Sequence, residues 1–238
     1  MNLKKIRIDI RNFSFTSIFR KRFHFIHIGK TGGSAIRHSL IKFNSNQKKF
    51  YFFYYGHSFK AFKLKKNQKY FFCIRNPLSR FVSGFYSRQR MGRPWSSVSK
   101  WSQNEEEAFR NFKDVNQLAE SLYSNDVLLK NKAEQAMVSI KHLKDNYTTW
   151  FDKEFFENHK PFFVFETESL DSDFKIFCKK LNLKHFDLSK NKITIHKNDY
   201  SEIPKLSNLS ATNLRKWYAN DILLYDYVLS NKKSFNSF

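Results

Sequence analysis

The segment 29–34 contains the residue types that an anion-binding loop needs. It consists of Gly29, Lys30, Thr31, Gly32, Gly33 and Ser34. Small residues let backbone N–H groups approach an anion, and Lys30 adds a full positive charge. A helix that begins after the glycines would add the partial positive charge of its N-terminus, and Ser34 could cap it or donate its hydroxyl to a phosphate. The alternative is an ordinary strand–helix turn with a capping serine.

A second candidate anion site lies in segment 75–83, which reads R-N-P-L-S-R-F-V-S. Arg75 directly follows an apolar run, and Ser83 lies on the helix predicted to come next. Open α/β sheets place ligand contacts at the carboxyl ends of their strands, so a guanidinium and a hydroxyl here suit a second phosphate of the same ligand. The alternative is that the polar residues form the solvated face of an amphipathic helix.

Apolar runs and helical periodicities supply the elements that would position both segments. Strands are predicted at 23–28, 49–55, 70–74 and 161–165. Helices are predicted at 34–41, from Pro77 onward, through most of 90–150, at 174–181 and near the C-terminus. Strands that alternate with helices predict an α/β fold of three layers, in which helices flank a central, mainly parallel sheet.

Length, cysteine content and hydropathy limit the class of protein. The 238 residues are 41% hydrophobic, which excludes a disordered chain and predicts a single domain over 1–238 with a basic N-terminal extension at 1–22. Cys73 and Cys178 are too few for a disulfide framework, and neither has a zinc-site spacing. Because the sequence has no run of about 18 apolar residues, we expect no transmembrane segment and a soluble, cytoplasmic protein.

The net charge of +22 has two interpretations. A polyanionic partner, such as nucleic acid or a phosphate-bearing ligand, would need a strongly basic surface. However, the Lys and Arg residues are scattered among Asn and Ser and do not form one stripe. The charge therefore indicates mainly a Lys-rich and Asn-rich composition, and we expect no specific nucleic-acid partner.

The two anion-binding segments together resemble those of sulfotransferases that use 3′-phosphoadenosine-5′-phosphosulfate (PAPS). The family's phrase R-[DN]-P-x-x-R-x-x-S matches residues 75–83, and its Lys-containing strand–loop–helix matches residues 29–34. The resemblance covers about residues 23–227 and is closest to the carbohydrate branch, which includes uronosyl 2-O-sulfotransferases with their bacterial and viral relatives. It implies a P-loop-like α/β fold and transfer of a sulfuryl group from PAPS to a hydroxyl acceptor, expected to be a glycan.

The resemblance also implies how the cofactor would be bound. Segment 29–34 would bind the 5′-phosphosulfate, and Arg75 with Ser83 would bind the 3′-phosphate, which the product adenosine 3′,5′-bisphosphate (PAP) retains. Lys197 and Asn198 resemble part of the family's third cofactor loop. No metal is required, because fixed cations take the place of Mg²⁺.

Two further residues receive chemical roles from the same resemblance. Lys30 would neutralise the charge that develops on the departing phosphate oxygen. His57, in the family's Gly-His pair, would be the general base that accepts the proton of the acceptor hydroxyl. Tyr55 stands where carbohydrate relatives can carry a second histidine. His24 and His27, in the first strand region, are expected to be structural.

Two other functions compete with this interpretation. A kinase-like phosphotransferase would use Lys30 on ATP and Glu166 or Glu168 to hold Mg²⁺. The spacing G-x-x-x-x-G-K-[ST] is absent from the loop, because Lys30 precedes the glycine pair, and this counts against it. A non-enzymatic nucleic-acid-binding protein would use the net positive charge alone, and its affinity would fall steeply with salt.

Overall fold

The computed structural model describes residues 20–46, 49–93, 99–183, 187–188 and 203–237, and its centre is a sheet of four parallel strands. The strands are β1 (Lys21–Ile26), β2 (Phe50–Tyr54), β3 (Lys69–Ile74) and β4 (Phe163–Glu166). Their order across the sheet is β2-β1-β3-β4. All four coincide with predicted strands, and the α/β prediction is confirmed.

Helices follow the strands and fill the middle of the chain, as the periodicities predicted. Within the described residues they are α1 (Gly33–Asn46), α2 (Pro77–Gln89), α3 (Gln103–Asn111), α4 (Val115–Ser121), α5 (Val127–Ser139), α6 (Lys153–Asn158), α7 (Leu170–Lys180), α8 (Asn208–Trp217) and α9 (Ala219–Asn236). Side-chain caps satisfy N–H groups at several helix starts, for example Asp114 before α4 and Asp126 before α5. In these ranges no helix has the length and hydrophobicity needed to cross a membrane.

The described residues fall into two compact units. The first consists of the described parts of 1–74, 150–195 and 227–238, and the second of the described parts of 75–149 and 196–226. The single domain expected over 1–238 stays a prediction. Of the expected N-terminal extension, residues 1–19 lie outside the described part, while Lys21 and Arg22 already pair with Phe50 and Tyr51 and so belong to β1.

The first unit is built around both faces of the sheet. On one face, phenylalanines of all four strands pack with α1 and α7; they are Phe23, Phe25, Phe50, Phe52, Phe71, Phe163 and Phe165. Because side chains alternate along a strand, Tyr70 and Phe72 point to the other face. There Phe72 contacts Phe151 and Phe156 at ring-centroid distances of 4.6 Å and 5.7 Å. Helices therefore cover both faces, and the layers match those predicted.

Both edges of this sheet are paired with an asparagine side chain. At the β2 edge, the Asn44 amide accepts from Phe52 N–H at 2.9 Å and donates to the Phe52 carbonyl at 2.9 Å. At the β4 edge, Asn236 makes the same two bonds to Val164, at 2.8 Å and 3.0 Å. Each amide imitates one residue of a neighbouring strand, which blocks further strand addition at that point.

The second unit is a helical cluster with its own core. Phe81 and Phe85 of α2 are buried against Phe109, Leu118, Met137 and Leu214, which come from α3, α4, α5 and α8. Leu78, Val82 and Tyr86 pack partly against the same cluster. These five residues recur at helical spacing along α2 and form its apolar face. This face is the one that packs on the core of the second unit.

Candidate functional site

The loop between β1 and α1 is a tight turn with unusual backbone conformations. Lys30 has φ of 68° and Gly32 has φ of 78°. Thr31, between them, is fully buried, and its hydroxyl donates to the Ile28 carbonyl at 3.0 Å. A positive φ at a non-glycine residue costs roughly 1–3 kcal/mol and is found preferentially at functional sites. The strained residue here is Lys30, the one expected to contact an anion.

The two glycines of the loop allow close packing that a side chain would prevent. A Cβ at Gly32 would lie 3.0 Å from Cδ2 of Leu170, in addition to the strain from its positive φ. A Cβ at Gly33 would lie 2.2 Å from Cδ2 of His27 and 2.4 Å from its Nε2. The imidazole of His27 therefore packs directly on the first residue of α1.

The start of α1 has the features of an anion site. The first N–H groups of a helix have no partner within the helix and carry its partial positive charge. The first turn of α1 contains no acidic side chain that would compete for this charge. Ser34 is the second residue of the helix, so it lies in the first turn and not at the N-cap as one interpretation of the sequence expected. Its hydroxyl can still donate to a ligand.

His27 contacts both Gly33 of this loop and His57. Nδ1 of the exposed His57 is 2.9 Å from the His27 carbonyl oxygen, and the two imidazole centroids are 4.3 Å apart. Because a carbonyl oxygen can only accept, Nδ1 carries the hydrogen, and the basic nitrogen of the neutral ring is Nε2. In this tautomer Nε2 is the nitrogen that can accept a proton. The contact of His27 with His57 was not predicted from the sequence, which indicated only a structural role for His27.

The loop that carries His57 is anchored by the buried Trp150 and by a stacked pair of half-buried aromatic residues. Trp150 is 1% exposed, and its indole N–H donates to the His57 carbonyl at 2.9 Å. Tyr55 and Phe59, on either side of His57, stack with their ring centroids 3.8 Å apart. The His57 backbone is thus held from a rigid core, although its ring is exposed.

The half-buried Tyr55 and the buried His24 form a hydrogen-bonded pair next to this loop. The Tyr55 hydroxyl lies 2.7 Å from Nδ1 of His24. Burial raises the pKa of Tyr55 to about 12 and, with the nearby Arg22 and His159 charges, lowers the pKa of His24 to about 4. Both groups are therefore neutral at pH 7. Tyr55 does not supply a second base, and His24 has the structural role that the sequence indicated.

The second predicted motif lies in the other unit. Asn76 caps α2 by accepting from Leu78 N–H and Ser79 N–H, at 3.0 Å and 3.3 Å. The half-buried Arg75, immediately before this cap, donates from Nε to the Ser79 hydroxyl at 2.9 Å. Ser83 is only 5% exposed. Its burial gives no support to a contact with phosphate, and its assignment stays a prediction.

The remaining candidates are the carboxylates Glu166 and Glu168 and the cofactor-loop residues Lys197 and Asn198. Glu166 forms an ion pair with Lys232 at 3.0 Å, and Lys232 also pairs with Asp173 at 2.8 Å. Glu168 is exposed. Glu166 is therefore part of a charge cluster and is poorly suited to hold Mg²⁺ or to act as a base. Lys197 and Asn198 lie outside the described residues.

Sequence comparison adds no family assignment to this geometry. Function must therefore be inferred from the residues and contacts of the site itself. No protein-family model matches the chain, and no curated protein matches it either.

Proposed function

We propose that this protein is a PAPS-dependent sulfotransferase that acts on a hydroxyl group, with a carbohydrate as the acceptor. The observation that carries the proposal is the contact chain His57–His27–Gly33 within the first unit. It brings His57, whose basic nitrogen is Nε2, beside the loop that carries Lys30 at the N-terminus of α1. Transfer of a group from an anionic donor needs both a base for the acceptor and positive charge for the leaving group.

The residues of the loop fit the phosphosulfate end of PAPS. The α1 N-terminus offers N–H donors and partial positive charge, Lys30 adds an ammonium group, and the glycines keep the backbone accessible. When bound, PAPS supplies a sulfuryl group on a phosphate that can leave with negative charge. Arg75 carries a guanidinium suited to the 3′-phosphate, since such groups bind phosphate with two parallel hydrogen bonds.

The chain's own residues would then divide the chemistry. His57 would accept the acceptor's hydroxyl proton at Nε2, and bound PAPS would supply the sulfuryl group for the acceptor oxygen, with PAP as the leaving group. The His27 carbonyl oxygen accepts from Nδ1–H of His57, which makes Nε2 the basic nitrogen of the neutral ring. Lys30 and the α1 N-terminus neutralise the charge that the phosphate oxygen gains.

A thermal-shift screen tests the cofactor class. PAP should raise the melting temperature more than ATP with Mg²⁺ does, and it should do so without a metal. A PAP concentration of a hundred times its Kd would raise the free energy of unfolding by about 2.7 kcal/mol. Equal or greater stabilisation by ATP with Mg²⁺ would favour a kinase. Stabilisation by oligonucleotides alone, lost steeply with salt, would favour a nucleic-acid-binding protein.

The Arg75→Ala substitution tests where the 3′-phosphate binds. We expect it to weaken the binding of PAP by roughly 1.5–3 kcal/mol, because a charge-assisted contact is lost. Adenosine 5′-phosphosulfate lacks the 3′-phosphate, so its affinity should change little. Calorimetric titration of both ligands measures the difference. Arg110→Ala, which removes an exposed arginine of the second unit, is the control. Equal weakening of both ligands by Arg75→Ala would contradict the assignment.

A further inference from the structure

Arg75 is held at two points by other side chains of the second unit. The Tyr147 hydroxyl accepts from the Arg75 N–H at 3.1 Å and donates to the Arg75 carbonyl at 2.5 Å. One hydroxyl thus bonds both backbone polar groups of Arg75. At the other end, Nε donates to the Ser79 hydroxyl at 2.9 Å, and that hydroxyl donates to the Asn76 carbonyl at 3.1 Å. Both the backbone and the start of the guanidinium are therefore fixed.

Tyr147 is itself fixed by buried charged residues. It is fully buried, and its N–H donates to Oδ1 of Asp221 at 2.9 Å. The guanidinium of Arg80 lies 5.0 Å from the centroid of the Tyr147 ring. Arg80 in turn donates to the Asp145 carbonyl at 2.7 Å and lies 3.9 Å from Oδ2 of Asp221. Tyr147 therefore has partners at its backbone N–H, at its ring face and at its hydroxyl. These contacts give the hydroxyl a defined position.

This arrangement also accounts for Arg80, the second arginine of segment 75–83. The resemblance gives this residue no contact with the cofactor. Arg80 is only 3% exposed, and the ring that it covers is the one that bonds Arg75. The two arginines of the segment are thus connected through a tyrosine that lies 72 positions after Arg75.

We infer that Tyr147 and Ser79 are positioning residues, which hold Arg75 in the orientation in which it binds phosphate. The inference rests on the proposed function, in which Arg75 contacts the 3′-phosphate. A guanidinium binds phosphate strongly only when its planar fork is aligned with the oxygens. A side chain that is already ordered loses less conformational entropy when the ligand binds.

The test compares two buried tyrosines that differ in their contact with Arg75. Tyr147→Phe removes the hydroxyl that bonds Arg75. Tyr218→Phe is the matched control, because Tyr218 is 3% exposed, lies in the same unit and donates to the Leu143 carbonyl at 3.3 Å. In calorimetry, Tyr147→Phe should weaken the affinity for PAP about three- to tenfold and leave the affinity for adenosine 5′-phosphosulfate unchanged. Tyr218→Phe should leave the ratio of the two dissociation constants at its wild-type value.

The ratio separates positioning from general loss of structure, since a merely structural role would affect both ligands. An unchanged ratio in Tyr147→Phe, or an equal change in Tyr218→Phe, would overturn the inference. If Tyr147→Phe does not fold, Ser79→Ala decides: it should shift the ratio in the same direction, and no shift would overturn the inference. Wild-type protein that does not bind PAP would overturn the proposed function and this inference together. PAP binding that needs Arg75 but neither Tyr147 nor Ser79 would overturn this inference alone.

Discussion

Replacing His57 by alanine is expected to lower turnover about 10²–10⁴-fold while PAP binding stays nearly unchanged. The loss should be near the upper end, because Tyr55 stands where carbohydrate relatives can carry a second histidine, and its hydroxyl is neutral and bonded to His24. His57 is exposed, and its ring contributes little to the core, so the melting temperature should hardly change. Turnover is measured with labelled PAPS and an acceptor found by screening glycans.

Two controls separate base catalysis from other effects of this substitution. Added imidazole should restore part of the activity of the His57→Ala protein, because the ring that it replaces is accessible to solvent. Lys30→Ala should reduce both PAP binding and turnover, since Lys30 is assigned to the phosphate itself. Near wild-type turnover in His57→Ala would exclude His57 as the base, and His27, 4.3 Å away, would be tested next.

The sequence predicted the strands and the phosphate loop because these are local patterns. Apolar runs of five to seven residues marked each strand, and the glycine, lysine and serine of segment 29–34 marked the turn after the first. The approach of His57 to His27 was not predictable, because it depends on strand register. Phe25 pairs with Tyr54, and this places His27 and His57 just beyond the ends of neighbouring strands.

The same limit applies to the polar residues of α2. Helical periodicity places Phe81 and Phe85 on the apolar face of α2, and it leaves Arg80 and Ser83 off that face. They are 3% and 5% exposed. A buried arginine needs partners, and those of Arg80 are supplied by Asp145, Tyr147 and Asp221, far away in the sequence. No local pattern identifies such partners.

The largest effect on stability is expected at another buried arginine of α2. Arg88 is 4% exposed, and its Nε and Nη2 bond the two carboxylate oxygens of Glu105 at 2.7 Å and 2.8 Å. The fully buried Glu105 also accepts from Lys141 N–H at 3.0 Å and Ser102 N–H at 3.1 Å. Burial by itself would raise the pKa of Glu105, but the hydrogen bonds from Arg88, Lys141 and Ser102 outweigh it and lower the pKa.

Glu105→Gln should therefore lower the free energy of unfolding by about 3–5 kcal/mol, because it leaves the Arg88 charge buried without its counter-ion. Glutamine keeps the size of the side chain and can still cap α3, so the loss reports the charge. Glu106→Gln is the matched control on the same helix: its partner Arg110 is 73% exposed, and the change should stay below about 0.5 kcal/mol. Denaturant unfolding of the three proteins measures both differences.

The pH dependence provides the decisive check on this charge effect. A carboxylate whose pKa is lowered by folding stabilises the protein above its unfolded-state pKa, and this contribution is lost as pH falls through the folded-state pKa. The difference between wild type and Glu105→Gln should therefore be constant near neutral pH and should shrink below about pH 4.3, the ordinary pKa of glutamate. A difference that is small at pH 7, or one that persists unchanged into acid, would mean that packing and not the ion pair makes Glu105 important.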